Sequence, residues 1–347
     1  MKLKFALPLL AATLALAALA ARAENPKLRV AGNLVATGLI QQTKEQPFFE
    51  NFAKNTGVPI DADYKPMDVL GVKDADGLRV LKSGLFDIVT LRLAQVSRDE
   101  PFFLGPDIVG LSTDYEVARK VVDAYRDAFD KRLQERHGGK LLGIYPFGPQ
   151  VVFCKVAIGG LGDLKGKKVR VYDQSLAKFI EKLGCIPVTI PFGETQQALE
   201  RGVTDCAITG PSSANSAGWP EVTTHFMPIG FQIALNAYAI NLQKWNALPA
   251  DQKTKLTEAF RKFETEVWAY SKELFDDASR CNVGKEPCKT VKKFTMKDVS
   301  VKPGDQQMIR DALTTVSLPI WSELCDKSYD KCSATWKQVV GPVVGLK

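Results

Sequence analysis

Histidine is nearly missing from this chain of 347 residues. There are two, His137 and His225, and neither stands in a metal-ligand spacing or near a nucleophile. Zinc sites and histidine-driven acid–base chemistry lose their usual residues with them. There is no G-x-S-x-G elbow and no H-E-x-x-H helix. The stretch from Gly71 to Gly77 lacks the Lys-Ser/Thr that a phosphate loop needs. Gly159-Gly-Leu-Gly162 looks only loosely like a dinucleotide loop, because Gly166 falls one residue late. It reads better as a hinge-side turn. No low-complexity linker, strong internal repeat or run of like charge interrupts the chain. Lys and Arg are interspersed with Asp and Glu at a net charge of +7, so nucleic-acid binding has no support. Catalysis has little footing, and neither a cofactor nor a metal is expected.

Long hydrophobic runs are also scarce. The single one lies at the start, MKLKFALPLLAATLALAALAARA over residues 1–23. Lys2 and Lys4 form a basic leader, Phe5 to Ala20 is apolar, and Ala21-Arg22-Ala23 has the small-x-small form of a cleavage site. A membrane anchor is the competing reading, but the run is shorter than the ~20 residues of a spanning helix. No cysteine follows it, which speaks against a lipid anchor. The expectation is a cleaved signal and an exported, periplasmic protein that begins at Glu24. Cleavage would remove three positive charges and no negative ones, leaving a mild net charge of +4. The remaining length suits two lobes better than one core.

Seven cysteines in an exported chain invite disulfides. Cys281 and Cys288 bracket a short loop, CNVGKEPC, and Cys325 and Cys332 bracket another, CDKSYDKC. Both spacings suit local staples. Cys154, Cys185 and Cys206 leave one pair and one free thiol. Cys154 and Cys206 both sit in apolar, strand-like runs and are the favoured pair.

Periodicity sets out an α/β chain. Lys27–Ala31 reads as a strand ending at Gly32-Asn33, Phe48–Asn55 as a helix, and Val58–Tyr64 as a strand. Gly77–Ser83 reads as a helix, Phe86–Thr90 as a strand, Asp114–Glu135 as a longer helix and Lys140–Tyr145 as a strand. The alternation then recurs. Val169–Tyr172 is a strand, and Leu176, Phe179, Ile180 and Leu183 share one helical face closed by Gly184. Ile186–Ile190 is a strand, Glu194–Arg201 a helix and Val203–Ile208 a strand. Two βαβ halves suggest a cleft, with ligand beyond the carboxyl ends of the strands. Pro249 to Cys281 keeps helical spacing through Phe260, Phe263, Val267, Tyr270, Leu274 and Ala278, long enough to brace both lobes. Its aromatics read as core.

The segment from Asp163 to Asp205 carries a resemblance. Leu164–Arg170 (LKGKKVR), Leu183–Val188 (LGCIPV) and Glu194–Asp205 (ETQQALERGVTD) resemble the DLKG-x-x-x-R, LGA-x-P and E-x-x-x-ALQ-x-G-x-x-D elements of the periplasmic solute-binding proteins of TRAP transporters. Upstream, Leu81–Asp87 (LKSGLFD) is similar to that family's L-x-x-G-x-x-D.

The resemblance implies a two-lobed periplasmic-binding-protein fold with a hinge. Lobe I would be residues 24–149 plus about 234–270, and lobe II 150–233 plus about 271–347. It implies no enzyme. A small organic carboxylate would be held between the lobes and handed to the membrane subunits of a TRAP permease.

By motif, the family's defining arginine falls on Arg170, which would grip the carboxylate as a bidentate fork; a surface salt bridge is its ordinary alternative. Gln150 stands where some members carry a further arginine, and Thr209 where asparagine is frequent. Arg92 stands where sialic-acid binders carry a glutamate, which argues against that solute. Arg92 is either a second cation for the solute or a solvated loop arginine. Position adds Asn33, Tyr172, Ser212, Ser213 and Asn236 to the candidates. Trp219 is either a stacking surface or core. A periplasmic enzyme acting on a carboxylate and the receptor of an ATP-driven importer are the alternative functions.

Overall fold

The computed structural model describes residues 25–346, so the expected signal lies outside the described residues. The chain forms two mixed sheets. The first has the order β2-β1-β3-β10-β4: β1 (Lys27–Gly32), β2 (Asp61–Pro66) and β3 (Ile88–Arg92) run parallel, while β10 (Ile233–Asn241) inserts antiparallel between β3 and β4 (Gly139–Pro149). The second has the order β11-β9-β5-β8-β6-β7. Its strands are β5 (Val151–Cys154), β6 (Lys168–Val171), β7 (Ile186–Thr189), β8 (Cys206–Thr209), β9 (His225–Met227) and the short β11 (Lys297–Asp298).

Alternation along the second sheet divides its side chains between two cores. Val152, Cys154, Val169, Val171 and Ile208 bury one face, under the helix Gln174–Lys182. Val151, Phe153 and Ala207 bury the other, with Phe192, Leu199 and Trp219. The first sheet packs against Phe48, Phe49, Phe52, Phe260 and Phe263, rings whose centroids lie 4.3–6.5 Å apart. Each large side chain buried this way contributes ~1.5–3 kcal/mol.

The chain crosses between the sheets at Gln150, where β4 runs into β5, and again over Pro228–Gln232, where β9 leads to β10. The two crossings are paired with each other. Gln150 N donates to Gln232 O at 3.0 Å, and Phe231 N donates to Gln150 O at 3.0 Å. The helix Ala250–Asn282 is a third connection. Phe260, Phe263 and Val267 pack in the first core, while at its far end Asn282 donates to Pro211 O at 3.2 Å and accepts from Asn215 at 2.7 Å. The bracing role expected of it is observed.

Other expectations need correcting. The chain is helical well before Phe48, through a π-type turn at Gln41–Glu45 that the aromatic spacing does not announce. The Gly159–Gly162 turn is not hinge-side. It follows β5 at the end remote from Gln150 and is tied to Asp163 and Asp305, with Leu161 N on Asp305 Oδ1 at 3.0 Å. Nor does everything after residue 271 travel with the second lobe. Ile309 and Ala312 pack in the second lobe's core. Beyond the π-type turn Leu313–Ser317 the chain returns to the first, where Trp321, Trp336 and Val340 join the first core. Trp321 Nε1 donates to Pro101 O at 2.8 Å and Trp336 Nε1 to Gly105 O at 2.7 Å. Two indoles are better buried where each N–H finds a carbonyl, and the first lobe offers both.

Disulfides join Cys154 to Cys206, Cys281 to Cys288 and Cys325 to Cys332, and Cys185 is a buried free thiol. No described helix is long and apolar enough to cross a membrane.

Candidate functional site

Arg170 occupies β6 in the sequence KVRV. Val169 and Val171 turn into the core beneath the helix, so Arg170 must face the other way. Across the sheet it is in register with Ala207 of β8 and Val188 of β7, and the small Ala207 leaves room for a guanidinium. The side chain is 2% exposed. Nε donates to Ile190 O at 2.9 Å and Nη1 to Ile208 O at 2.9 Å. The ring centroids of Trp219, Tyr172 and Phe192 lie 5.6, 5.7 and 6.0 Å from the guanidinium carbon. No carboxylate pairs with it among the described residues, and Nη2 has no protein acceptor there. Burial, with a smaller push from Arg92, lowers its pKa to about 10.

Arg170 lines a cavity of about 320 Å³ between the lobes. The walls also include Arg92, Gln150, Tyr172, Thr209 and Asn236, so six of the sequence candidates converge there. Arg92 is the last residue of β3 rather than a loop residue, in register with Asn236 of β10. It is not a free cation. Nη1 binds Asp74 Oδ2 at 3.1 Å, and the guanidinium sits 5.3 Å from the centroid of Phe147. Gln150 stands at the crossing and donates Nε2 to Gly148 O at 2.9 Å. Thr209 ends β8, opposite Val151.

Four candidates do not reach the cavity wall. Asn33 is buried behind it, donating Nδ2 to Glu45 Oε2 at 2.6 Å and to Tyr145 Oη at 2.7 Å. It touches the site only through Asn236, whose Nδ2 donates to Asn33 Oδ1 at 3.0 Å. Ser213 is buried and donates to Thr37 O at 3.1 Å, and Ser212 is buried beside it. Trp219 is completely buried, 5.5 Å from the ring of Phe192 and 6.0 Å from that of Phe153. It is core, supporting the arginine from behind.

Some wall residues escape sequence reasoning. Phe147 follows the alternation of β4 and was open to discovery by counting on from Tyr145. Asp107 has no motif around it. Its carboxylate accepts from Leu235 N at 3.0 Å and Gln232 Nε2 at 3.1 Å, and burial holds its pKa well above the usual range. Next to Tyr172, Asp173 caps the helix Gln174–Lys182 by accepting from Leu176 N at 2.9 Å, and burial raises it to about 6.

Two α/β lobes joined by paired crossing strands, with an unpaired arginine at the cavity between them, define a cleft-binding protein of the solute-receptor class. The family follows from comparison. Residues 33–317 match the model of DctP, bacterial extracellular solute-binding protein family 7, and the chain belongs to that family. It is 27% identical over 217 residues to the C4-dicarboxylate-binding periplasmic protein DctP of Rhodobacter capsulatus; the match covers 61% of this chain and 64% of that protein. Its fold is that of a TRAP periplasmic solute-binding protein from Desulfovibrio salexigens with bound orotic acid, at TM-score 0.79, 16% identity, 92% of this chain and 99% of the other. It is likewise that of DctP6, a Bordetella pertussis extracytoplasmic solute receptor binding pyroglutamic acid, at TM-score 0.77, 20% identity, 90% of this chain and 99% of the other.

Proposed function

We propose that this protein is an exported receptor that captures a small organic carboxylate between its lobes and delivers it to the membrane subunits of a TRAP-type permease, with no reaction of its own. One observation carries the reading: the Arg170 guanidinium is buried at the cavity without a carboxylate partner. Placing such a charge out of water is costly, and a solute carboxylate that pairs with it in a dry cleft removes most of that cost. Arg170 is the carboxylate ligand, held by the Ile190 and Ile208 carbonyls. Gln150, Thr209, Tyr172 and Asn236 orient the rest of the solute, and Arg92 acts from its pairing with Asp74.

The lobes divide at the strand crossings. Residues up to Pro149, β10 and the segment from Leu318 onward form the first lobe; β5 to β9 and the helix Pro303–Ala312 belong to the second. Binding closes the cleft by bending at the paired crossings around Gln150 and Gln232.

A thermal-shift screen of the purified protein against small carboxylates tests the reading. A solute present at ~100 times its dissociation constant stabilises the native state by ~2.7 kcal/mol. The bound solute should be recovered unchanged. Failure of every carboxylate to stabilise the protein would refute capture, and product that accumulates in proportion to protein would refute the absence of a reaction.

A further inference from the structure

The polarity of the cavity wall narrows the solute. Glu45 closes the π-type turn Gln41–Glu45, and both its carboxyl oxygens accept from Asn33: Oε1 from the backbone N at 2.8 Å and Oε2 from Nδ2 at 2.6 Å. That fixes which way the Asn33 amide faces. Its Oδ1 is left to receive Asn236 Nδ2 at 3.0 Å. The Asn236 amide is thereby oriented in turn, and its Oδ1 takes no donor from the described residues. Gln150 is oriented in a similar way, because Nε2 is held by Gly148 O at 2.9 Å and Oε1 takes no donor from the described residues. Both residues line the cavity. The wall thus presents carbonyl acceptors whose partners must come from the solute.

The charges point the same way. Of the arginines on the wall, Arg92 is held by Asp74 at 3.1 Å and Arg98 by Asp99 at 3.1 Å. Among the described residues, Arg170 alone of these has no carboxylate partner. The remaining ionisable group of the wall, Asp107, is a carboxyl already engaged by Leu235 and Gln232. A second carboxylate on the solute would find the neutral Thr209 hydroxyl and the amide oxygens, beside a carboxyl already engaged, with no unpaired cation among the described residues to receive it. The aromatic parts of the wall, Phe147, Phe192 and Tyr172, suit hydrocarbon.

Resting on the receptor reading above, we infer that the solute is a monocarboxylate carrying an O–H or N–H donor next to its carboxyl group, and that this cavity discriminates against dicarboxylates.

Titration calorimetry with two matched sets tests the inference. One set is pyroglutamate, cyclopentanecarboxylate and glutarate; the other is 3-phenyllactate, 3-phenylpropionate and phenylsuccinate. In at least one set the donor-bearing acid should bind about tenfold or more tighter than the acid lacking the donor, the worth of one well-made hydrogen bond. The dicarboxylate should bind weakest. Asn236→Leu or Gln150→Leu should reduce the ratio between the first two acids toward one, whatever the change in their common affinity. That ratio does not depend on how well the variant folds.

A dicarboxylate that binds as tightly as the donor-bearing acid overturns the inference. So does a ratio that survives in both variants, or silence from all six acids. If dicarboxylate binding is lost in Arg170→Ala, the inference alone falls and the receptor reading stands. The broader carboxylate screen decides that reading separately.

Discussion

Replacing Arg170 with methionine separates a binding residue from a structural one. The arginine is destabilised where it sits: the fall of its pKa from the ordinary arginine value to about 10 corresponds to roughly 3 kcal/mol. The group is a base with a lowered folded pKa. The cost is therefore present in full below about pH 10 and is relieved as pH rises from there toward the ordinary arginine pKa. Methionine removes that cost but abandons the hydrogen bonds to Ile190 O and Ile208 O, at ~1.5 kcal/mol each, the lower end for a charged donor. The two changes nearly cancel. The unliganded variant should melt within about 4 °C of wild type, at ~2–4 °C per kcal/mol for a protein of this size class.

Binding has no such compensation. Losing one member of a desolvated charge pair costs ~2–5 kcal/mol, roughly 30- to several-thousand-fold in dissociation constant. Arg170→Lys should also lose most of the affinity, since an ammonium cannot form the planar fork. The assays are melting with and without the solute from the carboxylate screen, and calorimetry. A folded Arg170→Met that binds within about threefold of wild type refutes the site. An unliganded variant destabilised by more than ~4 kcal/mol shows that the arginine serves the fold instead.

Trp219→Phe should weaken binding by less than about threefold while lowering stability by ~1–3 kcal/mol, because the indole is core and touches no cavity; calorimetry and denaturant titration check both halves. Glu45 has its pKa raised by burial to about 7, so the native state binds its proton more readily than the unfolded chain does. Stability should fall as pH rises from about 4.5 through 7, and Glu45→Gln should flatten that slope in melts taken across the range. Non-reducing peptide mapping should recover the Cys154–Cys206, Cys281–Cys288 and Cys325–Cys332 pairs. With its ends 52 positions apart, the first should contribute about 4 kcal/mol, against about 2.5 kcal/mol for each pair 7 positions apart.

The parts of the fold governed by local rules were open to reading from the sequence. Alternation in KVRV gave both the strand and the face of Arg170, since two buried valines leave the arginine a single direction. The same rule extended to Tyr172 and would have extended to Phe147. What depended on partners far along the chain was not open. Asn33 ends a strand at the expected place, but Glu45, twelve residues on, claims its amide through a π-type turn with no sequence signature. Trp219 offers the same pattern whether it faces solute or core, and Phe153 and Phe192 decide the matter. The return of Trp321 and Trp336 to the first lobe rests on the carbonyls of Pro101 and Gly105, more than 200 residues away. Asp107 is recognisable only once β10 brings Gln232 and Leu235 against it.

The insertion of β10 between β3 and β4 bears on how the molecule can be assembled. The first sheet spans residues 27–241 and lacks an interior strand until the last nine residues of that span arrive. Until then β3 and β4 each present an open edge, the kind of surface that pairs with the wrong neighbour. The second sheet has no such gap, because β5 to β9 are complete within residues 151–227. As the chain emerges from its amino end, the lobe encoded in the middle can therefore close first, and the lobe that begins the sequence must wait for it. Any delay in that closure lengthens the exposure of the earlier strands, so the order in which edges are covered bears on how much chain reaches the final energy minimum.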